Sequence, residues 1–150
     1  MRENFSASLK DALKNKDKIA ASTIRLILAA LKDRDITERE HGNAEGIDDS
    51  GILLMLQSMI KQRQESSRLY SEAGRDDLAE REEVEIDIIR GFLPKQLSDD
   101  EVKEIVDKLI TELGANSLKD MGKVMRLLRE EYAGQVDMGK AGSIVKHKLN

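Results

Sequence analysis

The residues best suited to chemistry are basic and lie in the last third of the chain. Lys119, Lys123 and Arg126 follow one another at i, i+4 and i+7, a spacing that places them on one face of a helix. Their cationic side chains can bind phosphate groups. No aromatic residue lies between them, so a nucleic acid would be bound through its backbone rather than by base stacking. The spacing indicates either a phosphate-contacting surface or a basic helix face that meets only solvent.

Charge is unevenly distributed along the chain. Between Met121 and Asn150, six Lys and Arg residues stand against three acidic residues, a net charge of +3. The whole chain carries −4, so residues 1–120 carry −7. This asymmetry places the phosphate-binding hypothesis in the C-terminal part of the chain.

Residues for catalysis or metal binding are missing or isolated. The chain has no cysteine and two histidines, His41 and His147, neither of which lies in a metal-binding motif such as HExxH. No glycine-rich phosphate loop follows a strand, and no serine lies in a Gly-x-Ser-x-Gly turn. We therefore expect no catalytic residue, no metal ion and no cofactor.

One acidic run could be taken for a pair of catalytic carboxylates. Such a pair needs a cleft without water and two separated pKa values. The run is interrupted by Arg81 and followed by Arg90, which favours a helix face open to water. Its members are Glu80, Glu82, Glu83, Glu85 and Asp87.

The composition predicts an all-α protein. The 150 residues are 36% charged and 3% aromatic, and they include a single proline. No apolar run approaches the roughly 20 residues that span a bilayer, so no membrane contact is expected. The N-terminus lacks the apolar segment of a secretory signal, which predicts a cytoplasmic location.

Apolar residues at helical spacing predict seven helices, divided at Pro94 because a proline stops the fourth. Residues 1–93 are predicted to form an N-terminal domain of about four helices, and residues 97–150 a three-helix bundle. Ser98 and Glu101 form a capping box at the start of the bundle. Gly122 is interpreted as a point of close helix approach inside it.

Further details of the helices are predicted from the same pattern. Leu13 and Leu113 are expected on buried faces, and Arg63 is expected to point outwards. Asp76 and Asp77 are expected to cap the fourth helix.

The order of four motifs resembles the YqeY-like family across essentially the whole chain. These motifs are Tyr70-x-x-Ala73-Gly74-Arg75-x-Asp77-Leu78-Ala79, Phe92-Leu93-Pro94-x-Gln96-Leu97-Ser98, Lys119-Asp120-Met121-Gly122-Lys123-Val124-Met125 and Gly134…Asp137…Lys140…Val145-Lys146…Leu149.

The resemblance implies a binding role rather than catalysis. The C-terminal part of the family is similar to the tail of GatB, the B subunit of the tRNA-dependent amidotransferase. In that enzyme, the tail helps to hold the tRNA. The amidase and ATP-using sites of that enzyme lie in other domains or subunits, and this chain offers no residues for either. The implied RNA-binding residues are Lys119, Lys123, Arg126, Lys140 and Lys146.

Two hypotheses of different classes therefore remain open. In the first, the chain is a non-catalytic accessory protein that binds tRNA through its C-terminal part. In the second, it is an adaptor that binds an acidic protein through the same residues and does not bind RNA. Amidotransferase activity by this chain alone is the reading that the residues support least.

Overall fold

The computed structural model describes residues 1–150, and all of its regular secondary structure is helical, which confirms the all-α prediction. It contains seven α-helices and a 3₁₀ turn at Leu118–Asp120. The helices are α1 (Arg2–Lys14), α2 (Lys18–Glu40), α3 (Asp49–Glu72), α4 (Asp76–Arg90), α5 (Asp99–Leu113), α6 (Met121–Glu131) and α7 (Met138–Leu149).

The chain divides into two compact units, Met1–Leu93 with α1 to α4 and Pro94–Asn150 with α5 to α7. Residues 94–98 between α4 and α5 have no regular structure. Whether each unit folds as an independent domain stays a prediction.

The core of the N-terminal unit is formed by apolar residues from all four of its helices. Phe5 of α1 packs edge-on against Phe92, with ring centroids 5.0 Å apart. Leu13 was expected beside Phe5 but is 50% exposed, and its neighbour Ala12 is buried instead. The last turn of α1 therefore presents a small residue to the core, and the larger one lies in solvent.

An ion pair between partly exposed Arg2 and buried Asp35 connects the start of α1 to the end of α2 and to the loop that follows. Arg2 donates hydrogen bonds of 2.6 and 2.9 Å to the two carboxylate oxygens of Asp35, and one of 2.8 Å to the carbonyl of Ile47. The amide of Ile47 in turn donates to Asp35 at 3.0 Å. These bonds to the charged carboxylate lower the pKa of Asp35 from 3.8 to about 2.

A second ion pair corrects two predictions for α3 and α4. Arg63, expected to point outwards, has a side chain only 14% exposed and lies 3.9 Å from the carboxylate of Glu85. Glu85 is itself buried, so the acidic run of α4 is not wholly open to water. Glu82, one turn earlier, has a raised pKa because burial and the charge of Glu85 both disfavour its ionised form. Facing helices can bury such charges because each neutralises the other.

The start of α4 also differs from the prediction. Arg75 occupies the N-cap without a side-chain cap, and Asp76 and Asp77 lie in the first turn. Asp77 is instead bound by the guanidinium of Arg75 at 3.3 Å. Acidic residues in a first turn still stabilise a helix through its dipole.

The C-terminal unit is a three-helix arrangement with its own apolar core. The capping box of Ser98 and Glu101 is present at the start of α5. Gly114 ends α5 with φ of 63°, in the left-handed region. Leu113, expected to be buried, is the last residue of α5 and is 42% exposed.

Candidate nucleic-acid interface

Lys119 does not lie on a regular α-helix, although its spacing predicted that it would. It belongs to the 3₁₀ turn Leu118–Asp120, which precedes α6. Two hydrogen bonds close this turn: the amide of Asp120 donates to the carbonyl of Ser117, and the amide of Asn116 donates to the carboxylate of Asp120, both at 3.0 Å. Lys119 is nevertheless exposed, one turn before the other basic residues.

Lys123 and Arg126 lie on the outer face of α6. Val124 and Leu128 are fully buried, and Met125 packs against the same core. A helix turns by roughly 100° per residue, so Lys123 and Arg126 fall on the side away from that core. Both are exposed, and neither they nor Lys119 forms an ion pair. Their charges are therefore available to an external anion.

Two more charged residues belong to this outer face. Arg129 follows Arg126 at i+3, is exposed and has no ion pair. Sequence reasoning left Arg129 out of the site, although the same helical spacing includes it. Glu130 follows Lys123 at i+7 and Arg126 at i+4, so one carboxylate also lies among the cations and lowers their attraction for phosphate.

The structure separates the two lysines proposed on α7. Lys146 follows Gly142 at i+4 and so shares its face, and a Cβ at Gly142 would lie 3.8 Å from the methyl groups of Met121 and Met125. Lys146 is therefore on the side of α7 next to α6. Lys140 precedes Lys146 by six residues, a turn of roughly 600°, and so lies on a different side of α7, where it is exposed.

Gly122 is not a point of close helix approach, contrary to the prediction. It is exposed, and a Cβ built there would meet nothing within 4 Å. On α7, a Cβ at Gly142 would be in ordinary van der Waals contact with the methyl groups of Met121 and Met125. The sequence does not distinguish the two glycines, because the difference between them arises from the packing of α6 and α7.

The N-terminal unit contains a different kind of concave surface. A depression of about 350 Å³ lies between α1, α2 and the end of α4, over Ala12, Ile24 and Ile88. Its rim includes two acidic residues, Asp11 and Asp17, and no basic one. Such a rim does not favour phosphate binding.

The structure also bears on metal and membrane binding. No three His, Asp or Glu side chains lie close enough together to hold a metal ion. No helix has the length and apolar character needed to cross a bilayer.

Comparison with known proteins gives a consistent set of matches. A family model described as "Yqey-like protein" matches residues 2–149. The chain is similar to "Altered inheritance of mitochondria protein 41, mitochondrial" of Clavispora lusitaniae, with 30% identity over 146 residues, covering 95% of this chain and 81% of that protein. It is also similar to the protein of the same description from Lachancea thermotolerans, with 32% identity over 153 residues, covering 97% and 80%.

Proposed function

Because the chain belongs to the YqeY-like family, we propose that it is a non-catalytic accessory protein that binds tRNA through its C-terminal unit. The binding residues in this proposal are Lys119, Lys123 and Arg126, with Lys146 beside them and Lys140 at the margin. The observation that carries the proposal is the outer face of α6, where exposed cations have no ion-pair partner.

The rest of the unit supports a backbone-reading mode. Tyr132 is the only aromatic residue after Pro94, and it is packed against the apolar core. Stacking on bases is therefore not available at this face, and contacts to phosphates would provide the affinity. Binding of this kind does not depend on the base sequence of the RNA.

The first test is a titration of the full chain against total tRNA at two salt concentrations. Phosphate contacts release counterions, so binding should weaken by about tenfold or more between about 50 and 200 mM salt. Absence of binding at the lower salt concentration would overturn the proposal.

The second test locates the interface with matched charge reversals. Lys123→Glu with Arg126→Glu should weaken tRNA binding by at least about tenfold, because two phosphate contacts become repulsive. Lys103→Glu with Lys108→Glu makes the same change in net charge on exposed positions of α5 and should have a much smaller effect. Equal losses in both variants would mean that net charge, rather than the α6 face, determines binding. Circular dichroism checks that both variants are folded.

A protein partner is the second candidate, and one observation favours it. Leu118, directly before Lys119, is 45% exposed. An exposed apolar side chain beside basic residues suits an acidic protein that also has an apolar contact to offer. A pull-down with the full chain should then recover one partner in stoichiometric amount, unaffected by nuclease and lost with Lys123→Glu and Arg126→Glu.

We also propose a cytoplasmic location. The two fungal relatives are described as mitochondrial proteins. Fractionation of cells that produce the chain should recover it with a cytoplasmic marker, and recovery with an organelle fraction would contradict this.

A further inference from the structure

Gly122 has no structural reason to be a glycine. Its φ is not positive, and an added Cβ would meet nothing within 4 Å. By contrast, Gly114 and Gly134 adopt positive φ, and Gly142 faces two methionine methyl groups. A glycine in a helix is less stable there than alanine, because its backbone is freer in the unfolded chain. The position therefore lacks the side chain that would stabilise α6 best.

The residues next to Gly122 on this face of the helix are basic. Arg126 at i+4 and Arg129 at i+7 lie in one row of α6 with Gly122, and Lys119 lies three residues before Gly122 in the 3₁₀ turn that leads into α6. All three are exposed, and none is held in an ion pair. Lys123, the next residue, flanks the row. Because Gly122 has no side chain, the backbone of α6 is accessible to a ligand between these basic residues.

We propose that Gly122 is a phosphate-binding position, where one backbone phosphate of the bound RNA lies directly against α6 between Lys119 and Arg126. This inference rests on the proposed function and adds a residue that determines how closely the RNA approaches. A Cβ at Gly122 would hold the phosphate away from the helix, and both basic side chains would lose their shortest contact. Arg129 extends the row and contacts the same strand beyond that phosphate.

The test is a size series at Gly122 that leaves charge unchanged. Gly122→Ala should weaken binding of a tRNA by about threefold and Gly122→Leu by about tenfold or more, in the order of side-chain size. The dependence of log affinity on log salt should become shallower by about one unit in Gly122→Leu, because one phosphate contact is lost. Gly142→Ala, on the packed side of the neighbouring helix, is the matched control and should bind as the wild type does.

Folding is measured on the same samples. Alanine and leucine both favour helix, so Gly122→Ala should raise the thermal midpoint by about 2 °C or more while binding falls. A lower midpoint for Gly122→Ala would overturn the inference, because Gly122 would then have a structural role.

The outcomes separate this inference from the proposed function. If the wild type binds tRNA and Gly122→Leu binds with the same affinity and salt dependence, the phosphate-binding position is wrong and the tRNA proposal stands. If the wild type binds no tRNA at low salt, the proposed function fails and the inference fails with it.

Discussion

At the scale of single residues, Asp35 shows how a buried carboxylate is stabilised by its surroundings. It accepts hydrogen bonds from Arg2 and from the amide of Ile47, and its exposed fraction is 6%. The pair therefore holds the first helix, the end of the second and the following loop together. Its stability contribution depends on Asp35 being ionised.

This dependence predicts how stability changes in acid. The pKa of Asp35 is about 2 in the folded chain against 3.8 ordinarily, so the unfolded state takes up the proton first as the pH falls. The contribution is complete above the ordinary pKa and is lost as the pH falls from 3.8 through about 2. Because Arg2 is partly exposed, we expect the ionised pair to add about 1–2 kcal/mol to the free energy of unfolding. The free energy of unfolding of Asp35→Asn should approach that of the wild type over this range in urea titrations, whereas the exposed control Asp33→Asn should show no such convergence.

Gly46 is required at the same site for a steric reason. Its φ is +83°, and a Cβ there would overlap the carboxylate of Asp35. Gly42, in the same loop, has φ of +95° but open space around it. Gly46→Ala should therefore lower the free energy of unfolding by more than about 2 kcal/mol, against about 1 kcal/mol for Gly42→Ala, which has backbone strain alone. Equal losses in chemical denaturation would contradict the contact with Asp35.

At the scale of elements, the facing surfaces of α3 and α4 contain charges that a pattern of apolar spacing does not reveal. The pair of Arg63 and Glu85 is largely buried, and Nε of Arg63 has no hydrogen-bond partner. Removing one partner alone leaves the other charge buried without compensation. The pair is therefore expected to be strongly coupled.

A double-mutant cycle measures this coupling. Glu85→Leu should cost about 3 kcal/mol, and adding Arg63→Met should recover a large part of it, because no unpaired charge remains buried. The exposed pair of Arg68 and Glu72 on α3, with side chains 53% and 62% exposed, is the matched control and should couple by less than about 0.5 kcal/mol. Additive losses for Arg63 and Glu85 would mean that the two side chains do not interact.

At the scale of the whole molecule, the two compact units carry different surfaces. The proposed phosphate-binding face lies entirely within Pro94–Asn150, while the ion pairs of Asp35 and Glu85 lie entirely within Met1–Leu93. Each unit also has its own apolar core. Each unit is therefore expected to fold by itself, and RNA binding is expected to belong to the second unit alone.

Separate production of the two segments tests this expectation. The fragment 94–150 should be helical by circular dichroism, melt cooperatively and keep tRNA affinity within about threefold of the full chain, because all proposed contacts are present. The fragment 1–93 should fold and bind no tRNA. An unfolded fragment 94–150 would mean that its core needs the N-terminal unit, and the predicted domain boundary would be wrong.

The sequence by itself determined the helical class and the start of α5, because apolar spacing and the capping box of Ser98 act over a few neighbouring residues. It did not determine the end of α4, which lies at Arg90 with Gly91 as its C-cap, before Pro94 is reached. The motif order also indicated the family that residues 2–149 match. The sequence also indicated the basic face of α6, since the helical repeat places Lys123 and Arg126 on one side of the helix in any packing.

Only the tertiary structure decided which polar residues are buried and which glycines are open. Arg63 and Glu85 meet because two helices face each other, and no local pattern records that distance. Gly122, expected at a close helix approach, is open, whereas Gly142 faces methionine side chains of α6, because these contacts depend on where α6 and α7 touch. Helical periodicity already separates Lys140 from Lys146, because six residues turn a helix by roughly 600°. Only the tertiary structure decided that Lys146 lies on the side of α7 next to α6.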